Sequence, residues 1–292
     1  MTYTIESDSL QVQIKQQGME LSSILSKETH TEYLWQGDPQ IWSGQAPVLF
    51  PIIGALKGGT YSFKGQEYSL PKHGFVRTSD QAKVIRQEQN LIVFRLESNE
   101  DTKAIYPFDF VFDLSFELIG KKLRVSHRIE NTGNEEMFYS LGGHPAFNCP
   151  IGNGGKLEDY SIEFPELEND HTWNIMPGGL IGGMGDKVLN DSQTIQLTDH
   201  IFDGDALVFK HLKSREVSLH HQTRGPLVSL EFNDFDYLGI WAKPGAPYVC
   251  LEPWLGIGDA EDHSGLFTDK DGIRALKAGQ VEEKSFSVEI LE

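Results

Sequence analysis

Phe112-Asp113-Leu114-Ser115-Phe116-Glu117-Leu118 sets an apolar side chain at every second position, with a polar one between. A period of two marks a strand with one buried face and one wet face, as antiparallel sheets have. Leu91 to Leu96 precedes this stretch and Leu123 to Ile129 follows it, each of strand length. Further out, Leu10-Gln11-Val12-Gln13-Ile14 alternates in the same way. Gly18 turns the chain, and Met19 to Leu25 runs back, which predicts an opening hairpin. At the far end, Ser285-Phe286-Ser287-Val288-Glu289-Ile290 alternates cleanly and closes the fold.

The rest of the chain fits this frame. Lys64-Gly65 separates Tyr61-Ser62-Phe63 from Glu67-Tyr68-Ser69-Leu70, a second hairpin signal. Pro47-Val48-Leu49-Phe50-Pro51-Ile52-Ile53-Gly54 is a continuous apolar run and reads as a buried strand. Asn99 to Ile105 predicts the one short helix, ended by Pro107. Short strands are expected near 195–197, 207–209, 217–220, 227–232, 238–242 and 248–251. Residues 151–185 are rich in Gly, Pro and Asn and read as a long loop holding a strand or two (160–164); such loops on a β scaffold often carry function. No repeat of fixed period occurs. The expected architecture is all-β: one large antiparallel β-sandwich domain spanning residues 1–292.

Composition narrows the function classes. The chain has 292 residues, 39% hydrophobic and 23% charged, with a formal net charge of −18. Such an acidic surface repels nucleic acid and anionic membranes, so neither is an expected partner. The first residues carry no basic segment followed by an apolar one, and no apolar run reaches membrane-spanning length. Two cysteines, Cys149 and Cys250, leave room for one bridge and exclude a disulfide scaffold. A reducing cytoplasm is the expected location.

Three titratable residues share one setting, a strand end beside Pro or Gly. They are His73 in Leu70-Pro71-Lys72-His73-Gly74-Phe75, His144 in Gly143-His144-Pro145-Ala146-Phe147-Asn148, and Glu252 in Leu251-Glu252-Pro253-Trp254. An imidazole and a carboxylate together supply an acid and a base that operate near neutral pH. Trp254 shares a strand face with Glu252, and an aromatic beside a carboxylate suits a sugar. Each also has a plain structural reading: a hydrogen-bonded histidine, or a surface carboxylate before a turn. Asp205 could accept a sugar hydroxyl or simply end a turn after Gly204. Trp35, Ile41 and Trp42 either cover a sheet edge or line a cleft. His220 and His221 are adjacent and face opposite ways in a strand, and no His-x-x-x-His or Cys-x-x-Cys occurs, so no metal site is expected. Phosphate-loop, dinucleotide and serine-hydrolase motifs are absent.

The three motifs, in this order and at these separations, resemble the aldose 1-epimerase (galactose mutarotase) superfamily, and within it the LacX-like branch. The resemblance runs from about Leu10 to Ile290. It implies a β-supersandwich with an open sugar cleft, no cofactor, and interconversion of α and β anomers through the open-chain aldehyde. Glu252 is then the general base at the C1 hydroxyl, and His144 the general acid at the ring oxygen. His73, Asp205, Trp254 and Asn148 fall to substrate binding. Family members commonly carry an Arg where this chain has Ala55. Lys57, two residues on, or Arg77 is expected to substitute, with Lys57 acting as a point charge instead of a planar fork. The expected ligand is a hexose such as galactose or glucose, or a hexose 6-phosphate bound by Lys57, Lys72 and Arg77, although Lys72 and His73 should point opposite ways in an extended strand. The alternative is a non-catalytic sugar-binding or sensor protein on the same fold. A monomer or a homodimer is expected.

Overall fold

The computed structural model describes residues 1–152 and 155–292. Two antiparallel sheets dominate it. The larger has nine strands. From edge to edge they are Leu189–Gln196, Tyr160–Asp170, Glu216–His221, Gly225–Glu231, Val281–Ile290, Lys122–Asn131, Phe110–Ile119, Leu91–Glu97 and Lys83–Gln87. The C-terminal strand therefore lies in the middle of this sheet, where both of its edges are paired. The second sheet runs Leu180–Met184, Trp173–Met176, Leu207–Phe209, Tyr237–Trp241, Tyr248–Leu255, Leu141–Gly143 and Val48–Leu49, with Ala146–Asn148 also on Tyr248–Leu255. A three-stranded sheet, Thr2–Glu6, Leu10–Lys15 and Leu21–Ser26, completes the opening hairpin.

The alternating stretches do what their period requires. Phe112, Leu114, Phe116 and Leu118 are buried, and register pairs Leu118 with Leu123 and Phe116 with Val125. On the next strand Val125 meets Phe286, and Leu123 meets Val288. Each such side chain gains roughly 1.5–3 kcal/mol on leaving water. Asp113 lies on the opposite face, 2.7 Å from Arg95, with Arg128 3.7 Å away.

Two segments depart from expectation. The run from Pro47 to Gly54 is buried as predicted, but only Val48–Leu49 is strand. Pro47 and Pro51 have no N–H for a ladder, and the Phe50–Pro51 bond is cis. Of the expected loop 151–185, residues 153–154 lie outside the described residues, and residues 155–185 hold more strand than their composition suggests. They supply Tyr160–Asp170 to the larger sheet and an edge hairpin, Trp173–Met176 with Leu180–Met184, to the other. The helix Glu100–Ile105 has Asn99 as its N-cap, whose side chain accepts from the Thr102 N–H. No helix among the described residues is long and apolar enough to cross a membrane.

Candidate active site

The strand Tyr248–Leu255 changes partner halfway along. Leu141 and Gly142 pair with Leu255 and Trp254, and Ala146 to Asn148 pair with Cys250 to Tyr248. His144 and Pro145 occupy the jog between these ladders, opposite Glu252. The two glycines let the strands approach there: a Cβ on Gly142 would lie 2.8 Å from the Pro253 carbonyl, and one on Gly143 2.7 Å from the Phe286 ring. The jog turns His144 toward the same side as Glu252, and His144 Nε2 stands 3.3 Å from Glu252 Oε1. Trp254 Nε1–H donates to the other carboxyl oxygen at 3.2 Å.

Both groups are withdrawn from water, with exposures of 7% for His144 and 2% for Glu252. Burial pushes the carboxyl up to about 8, against the lowering influence of Lys72. Burial pushes the His144 imidazole down to about 3, helped by Arg77. Both shifts favour the neutral forms, a protonated carboxyl beside an unprotonated imidazole. Trp42 stacks on His144 at 5.1 Å, and Trp241 meets it edge-on at 5.8 Å.

His73 reaches the cavity by a different route. Its backbone is left-handed (φ +66), as is that of Gly74 (φ +76). A Cβ on Gly74 would fall 2.1 Å from the Phe50 carbonyl oxygen, so only glycine fits. Gly54 and His73 then bind each other twice. The His73 N–H donates to Gly54 O at 2.9 Å, and the Gly54 N–H donates to His73 Nδ1 at 3.2 Å. An Nδ1 that accepts carries no hydrogen, so Nε2 holds the ring proton and is a donor. Burial first, then His144, Lys72 and Arg77, hold this ring well below the usual imidazole range.

His73, His144, Glu252, Trp254, Asp205 and Arg77 therefore line one cavity of about 270 Å³. Asp205 is exposed (φ +81) and lines both this cavity and the neighbouring groove, whereas Asp203 pairs with His200 at 2.9 Å and lines only the groove. Two expected residues stand elsewhere. Lys57 opens the tight turn Lys57–Gly59, so the two-residue strand phase fails, and its ammonium donates to the His263 carbonyl on an outer surface. Asn148 donates to the Glu32 and Leu34 carbonyls and fastens that segment to the sheet. Trp241 lines the cavity although it was not singled out, and Lys72, named for the phosphate ester but expected to point away from His73, lines it too. The left-handed His73 breaks the alternation that would have sent Lys72 to the far side.

The sequence profile of the aldose 1-epimerase family matches residues 1–265. The chain is 33% identical to the plasmid-borne protein LacX of Lactococcus lactis subsp. lactis and 32% identical to the chromosomal LacX, each over the full length of both chains. The chain belongs to the aldose 1-epimerase family. Among solved structures, a galactose mutarotase related enzyme from Lactobacillus acidophilus superposes with a TM-score of 0.94 at 34% identity, covering 100% of this chain and 98% of that one. A galactose mutarotase-like protein from Lactobacillus casei gives 0.92 at 27% identity, covering 99% and 100%.

Within this family fold, the place of Ala55 is informative. Ala55 is buried and lies outside the cavity lining. The point a Gly179 Cβ would occupy is 3.2 Å from Lys72 Nζ and 3.6 Å from the Ala55 methyl. A small residue at 55 and a glycine at 179 thus leave room for the Lys72 ammonium at the cavity wall. Of the two lysines, Lys72 lines the cavity and Lys57 does not. The Lys72 and Arg77 side chains have no hydrogen-bonding or ion-pair partner among the described residues. Behind the same wall, Asp259 is fully buried. It accepts from Lys270 Nζ at 2.5 Å and from the Lys57 N–H at 2.9 Å, while its own N–H donates to the Ala55 carbonyl at 2.9 Å.

Proposed function

We propose that this protein is a mutarotase that interconverts the α and β anomers of a free hexose such as galactose or glucose. The observation that carries the reading is the buried 3.3 Å contact between His144 and Glu252 at the jog in the sheet. The pair holds one proton. On the carboxyl it gives the neutral resting form; passed to the imidazole it gives a carboxylate base and an imidazolium acid. The positive charge of Lys72 favours the carboxylate, and Trp254 Nε1–H holds its second oxygen.

With a pyranose in the cavity, Glu252 takes the proton from the C1 hydroxyl as His144 gives one to the ring oxygen. The bond from C1 to the ring oxygen breaks and leaves the aldehyde. Rotation about C1–C2 presents its other face. The ring hydroxyl then closes on C1, returning its proton to His144 while Glu252 reprotonates the new C1 oxygen. The proton count is unchanged over the cycle, and no cofactor takes part in it. The donor at His73 Nε2 supports charge developing on oxygen. Trp42, Trp241 and Trp254 offer the apolar surface that sugar ring faces stack on, and Asp205 accepts a hydroxyl at the lip. Anomer exchange by NMR with glucose and galactose tests the reading; a folded protein that binds either sugar without speeding exchange would make it a binding protein instead.

A second reading has its own support. Lys72 and Arg77 are two cations without partners among the described residues, in a cavity of a protein with net charge −18, which suits a hexose 6-phosphate. Competition of galactose 6-phosphate against galactose separates the two: tighter binding of the phosphate favours the ester, and equal or weaker binding favours the free sugar.

A further inference from the structure

We propose that His144, Cys250 and Glu252 form a binding site for a soft divalent cation of the zinc or cadmium kind, and that an ion seated there silences the acid–base pair. Cys250 and Glu252 are two residues apart on the strand Tyr248–Leu255, so both side chains leave the same face. His144 joins them from the jog. One donor atom from each, an imidazole nitrogen, the thiol sulfur and a carboxylate oxygen, lie within 4.8 Å of one another. All three residues are buried, and Cys250 is a free thiol.

The chemistry of this donor set is specific. Zinc binds sulfur at about 2.3 Å and nitrogen or oxygen at about 2.0–2.2 Å, which asks for donor separations of roughly 3.3–3.6 Å. His144 Nε2 and Glu252 Oε1 already stand at 3.3 Å, and no edge of the triangle needs to contract by more than about 1.5 Å, a movement within reach of side-chain torsions. On binding, the thiol proton and the Glu252 carboxyl proton both pass to solvent as the sulfur–metal and oxygen–metal bonds form. Thiolate and carboxylate then cancel the charge of the ion, so the complex adds no net charge to a dry cavity. Nitrogen and sulfur donors select zinc-like ions over magnesium and calcium. His144 Nδ1 is buried and has no hydrogen-bond partner among the described residues, so no hydrogen bond at that nitrogen has to break for the ring to adjust. The fourth position faces the cavity, where a water or a sugar hydroxyl completes the tetrahedron. The spacing that reports the site in the sequence is Cys-x-Glu on one strand; a search for paired His or Cys passes over it.

The proposal rests on the positions of the three donors and not on the reaction they serve, so its test reads binding directly. Cadmium is titrated into the chelator-treated full chain while the ultraviolet charge-transfer band of a cadmium–thiolate bond is recorded. A band saturating at one equivalent is expected, unaffected by excess magnesium. It should vanish in Cys250→Ser and persist in Cys149→Ser, the other buried thiol. Circular dichroism establishes that the variants fold, and folded Glu252→Gln should bind cadmium at least tenfold more weakly. Where anomer exchange is present, it should fall with the same half-saturation and return on adding EDTA. No band, a band that survives Cys250→Ser, or a band lost in Cys149→Ser overturns the site. A band in a protein that shows no anomer exchange leaves the site standing and removes only the mutarotase reading.

Discussion

His144 Nε2 and Glu252 Oε1 lie 3.3 Å apart, at the place where the strand Tyr248–Leu255 exchanges one partner strand for the next. Regular pairing would not bring these two side chains together in this way; the jog at His144 and Pro145 does. Because the pair acts through one shared proton, its members should not contribute independently. His144→Asn should lower anomer exchange by about 10²–10⁴-fold, the usual reach of general acid–base groups. The double variant with Glu252→Gln should be little worse than the poorer single variant. Saturation-transfer rates for the three proteins check this; losses that multiply would mean two independent groups.

Lys72 and Arg77 face the cavity without partners among the described residues, so their charge is available to a ligand. If the ligand is a phosphate ester, Lys72→Met should weaken galactose 6-phosphate about tenfold, the scale of a lost charge-assisted hydrogen bond. Free galactose should stay within about twofold. Calorimetry with both sugars decides it, and equal losses for both would place Lys72 on a neutral part of the sugar.

Asp259 and Lys270 form a fully buried ion pair behind the cavity wall. Removing one partner strands the other charge, so Lys270→Met should cost about 3–5 kcal/mol. Lys270→Met combined with Asp259→Asn should recover much of that loss. Denaturant unfolding of the variants measures both effects, and a Lys270→Met protein within about 1 kcal/mol of the parent would contradict the pairing.

Gly74 and Gly65 are both left-handed, at φ +76 and +78, but only Gly74 is crowded. A methyl on Gly65 meets open space, so Gly65→Ala should cost about 1 kcal/mol from backbone strain alone. On Gly74 the methyl would stand 2.1 Å from the Phe50 carbonyl. Gly74→Ala should therefore cost several times more and displace His73 from the cavity. Equal melting temperatures for the two variants would show that close approach matters less than φ.

The sheets were legible because the period of two is written plainly at Phe112–Leu118 and again at Ser285–Ile290. What it cannot convey is where a strand ends early. The apolar run after Pro47 looked like a strand, yet two prolines limited it to Val48–Leu49. The cavity was legible as three motifs, and His73, His144 and Glu252 do meet. The errors came from carrying strand phase through turns. At Lys57 a tight turn sends the side chain outward, and at His73 a left-handed residue brings Lys72 inward. Asn148 sits in the motif but serves the sheet. Trp241 had no local signal, since its place follows from pairing with Cys250 across the sheet.

The most direct test of the account is anomer exchange by saturation transfer in Glu252→Gln beside the parent protein, with sugar binding measured on the same samples. The account predicts that the parent speeds exchange of galactose or glucose above the uncatalysed rate. In the variant, exchange returns to that rate while binding persists and the fold is unchanged. Exchange at the parent rate in a folded Glu252→Gln protein would contradict the assignment of Glu252 as the base.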